Sequence, residues 1–161
     1  MHTMPGMSIQ RILVAHDLSE ASDDALRVAV ETARKYDAGL TIFHVYAIPV
    51  LPMPEGYVLQ TPATVMEIQR VVHDALLVAR HRAEALGAER VDTQAVPGAA
   101  ADEIVRYARE HRFDLIVMGT HGRRGVVLMI LGSVAESVIR RAPCPVMTVH
   151  PSVEAASRAV S

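Results

Sequence analysis

Asp114-Leu115-Ile116-Val117-Met118, followed by Gly119-Thr120-His121-Gly122-Arg123-Arg124-Gly125, is the stretch that decides the reading of this 161-residue chain. Its apolar run has no polar alternation, the pattern of a strand buried on both faces of a parallel sheet. Glycines placed directly after such a strand let the backbone approach a ligand closely, and consecutive amides in that turn form an anion-binding nest. Four similar runs lie on either side of it. They are Ile12-Leu13-Val14-Ala15, Leu40-Thr41-Ile42-Phe43-His44-Val45-Tyr46, a weaker one over residues 91–96, and Val146-Met147-Thr148-Val149.

Segments of helical period separate these runs. Ser19 suits an N-cap for a helix carrying Ala21, Ala25, Leu26, Ala29 and Ala33, ending near Gly39. Val65, Ile68, Val72, Leu76, Ala79, Ala83 and Leu86 step by three or four, and Gly87 suits the end of that helix. A third helix follows Gly98, with Ala101, Ile104, Val105 and Ala108 inward. The fourth opens at Gly132-Ser133, carries Val134, Ala135, Val138 and Ile139, and stops at Pro143. Strand–helix alternation of this kind predicts a single α/β domain around a parallel sheet. Residues 47–62, with Pro49, Pro52, Pro54, Gly56 and Pro62, read as a long loop: a lid or partner surface, or a merely variable surface loop. Residues 1–8 read as an N-terminal extension, residues 9–150 as the domain, and residues 151–161 as a fraying tail.

Composition narrows the function classes. Half of the residues are hydrophobic, 21% are charged, and the formal net charge is -2. That balance argues against an intrinsically disordered chain and against a dedicated duplex-DNA binder, which needs a basic face. No apolar run approaches the ~20 residues that span a bilayer. The first residues lack a signal-peptide pattern, so a cytoplasmic protein is expected. The single cysteine, Cys144, excludes an internal disulfide and a four-cysteine zinc site.

In an open parallel sheet, ligands bind beyond the carboxyl ends of the strands. Gly132-Ser133 stands at a helix start, where free N–H groups and the helix dipole favour a phosphate. The Ser133 hydroxyl suits a phosphate oxygen or a hydrated Mg²⁺, and Arg123 and Arg124 add positive charge. The chain has neither a Walker lysine motif nor a G-x-G-x-x-G dinucleotide fingerprint. The parts make a phosphate cradle of another kind.

Gly119, two residues, Gly122, nine residues, then Gly132-Ser133 resembles the glycine pattern of nucleotide-binding members of the universal stress protein family. The resemblance extends to Ile12-Leu13-Val14-Ala15-His16-Asp17-Leu18-Ser19, to Phe43-His44-Val45 and to Ala142-Pro143-Cys144-Pro145-Val146, and so covers residues 9–150. It implies a Rossmann-like five-stranded sheet in the order 3-2-1-4-5, an ATP site with Mg²⁺, and a homodimer through the strand Val146-Val149. It implies that Ala15, His16 and Asp17 lie along the adenosine, that Val45 contacts adenine and that Met118 and Gly119 border the ribose. Gly122, Gly132, Ser133, Val134 and Ala135 would hold the phosphates. One departure is Val126-Val127-Leu128-Met129-Ile130-Leu131, six apolar residues where polar positions are expected; core or an oligomer contact is the reading for them.

The leading expectation is therefore an ATP-binding regulatory protein whose loops, biased by nucleotide, engage an unidentified protein partner. The alternatives are slow ATP hydrolysis or phosphoryl transfer, with Asp17 and Mg²⁺ positioning water and Arg123 or Arg124 stabilising charge, and a nucleotide-free dimeric interaction module. No catalytic residue is assigned. His16, His44 and His121 follow or end neighbouring strands, but no spacing enforces a metal site, and His73 and His81 stand eight residues apart on one helix. Cys144 reads as a structural thiol, and Glu31, Glu67, Glu84 and Glu103 as a solvated face.

Overall fold

Ile12, Leu13 and Val14 are wholly inaccessible to solvent, which fixes their strand at the centre of the sheet with a helical layer on each side. The computed structural model describes residues 8–49, 51–53, 56–58, 61–120 and 131–150. Its elements run β1 (Arg11–Ala15), α1 (Glu20–Tyr36), β2 (Gly39–Tyr46), β3 (Leu51–Met53), β4 (Gly56–Val58), α2 (Pro62–Ala85), β5 (Val91–Pro97), α3 (Ala100–Glu110), β6 (Leu115–Gly119), α4 (Ser133–Arg141) and β7 (Val146–Val149). The sheet order is β5-β2-β1-β6-β7, all pairs parallel. Counting only the sheet strands in chain order, this is 3-2-1-4-5, the Rossmann-like arrangement.

Alternate residues of each strand serve opposite cores. Ile12, Val14, Ile42 and Val117 pack with Ala25, Leu26, Ala29 and Val30 of α1 and with Val72, Leu76 and Ala79 of α2. Leu13, Phe43, Ile116 and Met118 pack with Ile104, Val105 and Ala108 of α3 and with Ala135 and Val138 of α4. Each fully buried Leu, Ile or Val contributes about 1.5–3 kcal/mol, so truncation of a residue such as Leu13 would cost about 2–5 kcal/mol.

Local chemistry sets the helix boundaries. Ser19 caps α1 by accepting from the Ser22 amide, and Asp37, left-handed at φ 52°, ends it. Thr61 caps α2, whose first residue is Pro62. That proline, read from sequence as loop, begins the helix because a first-turn position needs no N–H and suits its fixed φ. Gly87, at φ 95°, terminates α2 as expected: the Ala88 amide reaches back to the Ala83 carbonyl at 3.0 Å.

The segment expected to be all loop differs. It holds an antiparallel ribbon, β3 with β4, registered Leu51↔Val58, Pro52↔Tyr57 and Met53↔Gly56. Proline is tolerated in such a ribbon because a two-stranded pair has only edges.

Candidate functional site

β1 and β6 are neighbours, with Ala15 in register with Met118. The helix that follows β1 covers one face of the sheet and the helix that follows β6 covers the other. This is the switch point of an open α/β sheet, where a crevice opens at the carboxyl ends of the strands. Burial traces that crevice. Ala15, Val45 and Gly119 are half-buried, although the strand residues before Ala15 and Gly119 are fully buried. Ala15, Val45, Val96 and Leu131 lie against the core shared with α3 and α4, so the open edge is on that side.

The turn from β1 to α1 is closed by its own side chains. The His16 ring is buried, and its Nδ1 accepts from the Leu18 amide at 3.1 Å. That bond leaves Nε2 to donate to Asp23 Oδ1 at 3.2 Å. Asp23 Oδ2 in turn accepts from Arg82 of α2. Burial pushes the Asp23 carboxyl up, but His16 and Arg82 outweigh it and hold it below the usual carboxylate range. Leu18 occupies the left-handed region at φ 64°, a conformation that costs a non-glycine residue about 1 kcal/mol or more. Its amide bond to His16 holds it there.

Asp17 Oδ1 accepts from the Ser19 amide at 3.0 Å and from the Ser19 hydroxyl. Burial raises the Asp17 carboxyl, while the Ser19 and Ser22 hydroxyls, the Ser19 amide and His16 lower it further, leaving it below its ordinary value. The His16 carbonyl accepts from the His44 ring at 2.8 Å, and its amide donates to Phe43 at 2.9 Å. The whole turn is thereby pinned to β2, α1 and α2.

The turn from β6 to α4 is built differently. Gly132 is the N-cap of α4, at φ −63° and ψ 152°, and no side chain caps that helix among the described residues. Gly132 donates its amide to the Thr120 carbonyl at 2.8 Å, and its own carbonyl accepts from Glu136 at 2.9 Å. The amides of Ser133, Val134 and Ala135 therefore stand at the positive end of the helix dipole with no side-chain acceptor among the described residues. Ser133 and Val134 are exposed and Ala135 is buried in the core, so Ala135 offers its backbone alone. Glu136, the first-turn acid, is paired with Arg140 at 2.6 Å, which tempers its charge beside this helix end.

The structure thus brings Ala15, Val45, Met118, Gly119, Gly132, Ser133, Val134 and Ala135 to one edge of the sheet. Met118 points into the core at 5% exposure, which leaves its backbone to the site. His16 lies at the same edge, but its ring is directed toward Asp23 and away from the crevice. Gly122, His121, Arg123, Arg124 and residues 126–130 lie outside the described residues, as does the 151–161 tail. The His16 ring bonds to Asp23 and the His44 ring to the His16 carbonyl, and no metal-binding group of three or more His, Cys, Asp or Glu occurs among the described residues. Burial and the Asp114 carboxylate push the Cys144 thiol up, which keeps it protonated and poorly nucleophilic. Among the described residues no helix is long and apolar enough to cross a membrane.

Sequence reasoning missed Asp23, Arg82, Thr120 and His150. Asp23 and Arg82 are separated by 59 positions, and Thr120 and His150, hydrogen-bonded at 3.1 Å, by 30. No local pattern announces such pairs.

Comparisons with known proteins agree with this architecture. The model of the universal stress protein family matches residues 8–150. The universal stress protein MJ0531 of Methanocaldococcus jannaschii is 34% identical over 145 residues, covering 87% of this chain and 81% of that protein. A universal stress protein solved in complex with cAMP is 30% identical with a TM-score of 0.69, over 90% of this chain and 99% of the other. The universal stress protein UspA from Lactobacillus plantarum superposes with a TM-score of 0.70 at 26% identity, over 87% of this chain and 97% of its own. With its 3-2-1-4-5 sheet and a glycine-capped helix at the switch point, the chain belongs to the universal stress protein family.

Proposed function

We propose that this protein binds ATP at the carboxyl edge of β1 and β6 and acts as a regulatory stress protein through the loops around that site. The observation that carries this reading is the N-terminus of α4, where a glycine stands in place of a capping side chain. A hydroxyl or carboxylate cap would satisfy the same amides from within; glycine leaves them to a ligand anion. Ser133, Val134 and Ala135 hold the phosphates, with Gly132 and Gly122 allowing close approach. Ala15 and Val45 flank the adenosine, the His16–Asp17 backbone lies along it, and Met118-Gly119 borders the ribose. The exposed Ser133 hydroxyl suits a hydrated Mg²⁺ carried by the nucleotide. The solved relative with cAMP supports an adenine nucleotide as the class of ligand.

ATP regulates only if it binds two loop states with different affinity. Residues 47–62 and 121–131 are the segments it would bias, and thereby the binding of a protein partner in the cytoplasm. The edge strand β7 retains half-exposed Val146, Thr148 and Val149 and an exposed Met147. An apolar edge of this kind is blunted by pairing with its two-fold mate, which makes a homodimer. Hydrolysis is the weaker reading, since Oδ1 of Asp17 already serves Ser19.

Isothermal titration of nucleotide-stripped protein with MgATP, beside Gly132→Val, tests the proposal. Binding by the wild type and its loss in a variant that still melts cooperatively is the expected result. No heat and no thermal shift with the wild type would leave the interaction-module reading.

A further inference from the structure

Thr120 is buried to 2% exposure immediately after β6, and each of its polar groups is held. Its amide donates to the Val149 carbonyl at 3.0 Å, at the end of β7. Its carbonyl accepts from the Gly132 amide at 2.8 Å, at the start of α4. Its hydroxyl is hydrogen-bonded to Nδ1 of His150 at 3.1 Å. One residue therefore joins the edge strand to the helix end where the phosphates are read.

Resting on the nucleotide reading above, we propose that Thr120 is a positioning residue for the phosphate cradle, steadied by His150. The physical reason lies in the peptide plane. The bond from the hydroxyl to His150 fixes the Thr120 side-chain rotamer, and with the Val149 contact it fixes the direction of the Thr120 carbonyl. That carbonyl sets where Gly132 sits, and hence where the Ser133, Val134 and Ala135 amides point. Oriented donors lose strength quickly with misalignment. The hydroxyl–imidazole bond therefore acts on phosphate recognition and not on the base, whose walls, Ala15 and Val45, lie on β1 and β2 and share no hydrogen bond with Thr120 among the described residues.

This separation gives a test that a purely structural role would not pass. MgATP and adenosine are titrated into the wild type, Thr120→Val, His150→Ala and the double variant, with melting curves to confirm folding. Valine keeps the shape and both backbone bonds of Thr120 and removes only the hydroxyl. The expected result is ATP affinity lowered about five- to tenfold in either single variant. Adenosine affinity should stay within about twofold, and the double variant should be no weaker than the weaker single one, as for two ends of one bond. Equal loss for ATP and adenosine, or no loss for either, would overturn the positioning role while leaving the nucleotide site standing. Failure of the wild type to bind ATP would instead overturn the nucleotide reading and this inference with it.

Discussion

Two turns leave the same edge of the sheet from adjacent strands, and they answer the same problem in opposite ways. Both must begin a helix and satisfy its first amides. The turn from β1 to α1 does so internally: Ser19 caps, Asp17 braces Ser19, and His16 and Asp23 lock Leu18 and reach Arg82. The turn from β6 to α4 has Gly132 at the cap and no side-chain acceptor among the described residues. A self-satisfied helix end stabilises the fold, whereas an end with no side-chain cap leaves amides that a ligand anion could complete. On the proposed reading, one sheet edge supplies both a rigid wall and a receptor for anions.

If the first turn is structural, breaking it should cost stability and most severely at its hub. Asp23→Ala leaves the buried Nε2 of His16 without its acceptor and frees Arg82. It should lower unfolding free energy by about 2–3 kcal/mol, read from urea denaturation. Ser19→Ala removes both the cap and a brace on Asp17, and should cost about 1–2 kcal/mol in the same assay. Gly132→Ala at the other turn removes no cap and should change stability by less than about 1 kcal/mol. A cost at Gly132 equal to that at Ser19 would erase the contrast between the turns.

Acid should act on the first turn as well. Asp17 and Asp23 are both held below their ordinary values in the folded state. Their contribution is therefore present above the unfolded carboxylate pKa of about 4 and is lost as pH falls through the lower folded values. Asp23→Asn should flatten this acid limb of the stability profile, measured by thermal melting between pH 6 and pH 3 on the wild type and variant (about the range over which carboxylates titrate). An unchanged slope would place the acid sensitivity elsewhere.

Much of this contrast was legible in the sequence, for identifiable reasons. Runs such as Ile116-Val117-Met118 read as buried strands because both their faces are apolar, and Ser19 and Gly87 read as helix ends because their chemistry is local. The start of α4 at Gly132-Ser133 was legible from the position of that pair before a helical period, while its phosphate role belongs to the proposal. The β3–β4 ribbon was hidden because prolines at 49, 52 and 54 speak for loop, whereas an isolated ribbon tolerates Pro52. His16 was expected beside adenosine, but its place in the pattern does not reveal which neighbour its ring will bond. Its partner Asp23 lies a turn into α1, and Arg82 arrives from another helix. Nor does leucine announce a left-handed φ at position 18; the His16 ring imposes it.

On the proposed reading, α4 begins at a glycine so that a phosphate, not a side chain, completes its N-terminus. Gly132→Asp tests it with one substitution and two readouts taken on the same sample. An aspartate at the cap supplies the missing acceptor and suits the positive end of the dipole, so the ligand-free protein should gain a few tenths of a kcal/mol or about 1 kcal/mol. The same carboxylate occupies and repels the phosphate position, so MgATP affinity should fall by about a hundredfold or more. Stability raised while ATP binding is lost is the outcome this account predicts. An aspartate variant that binds MgATP as tightly as the wild type would contradict it.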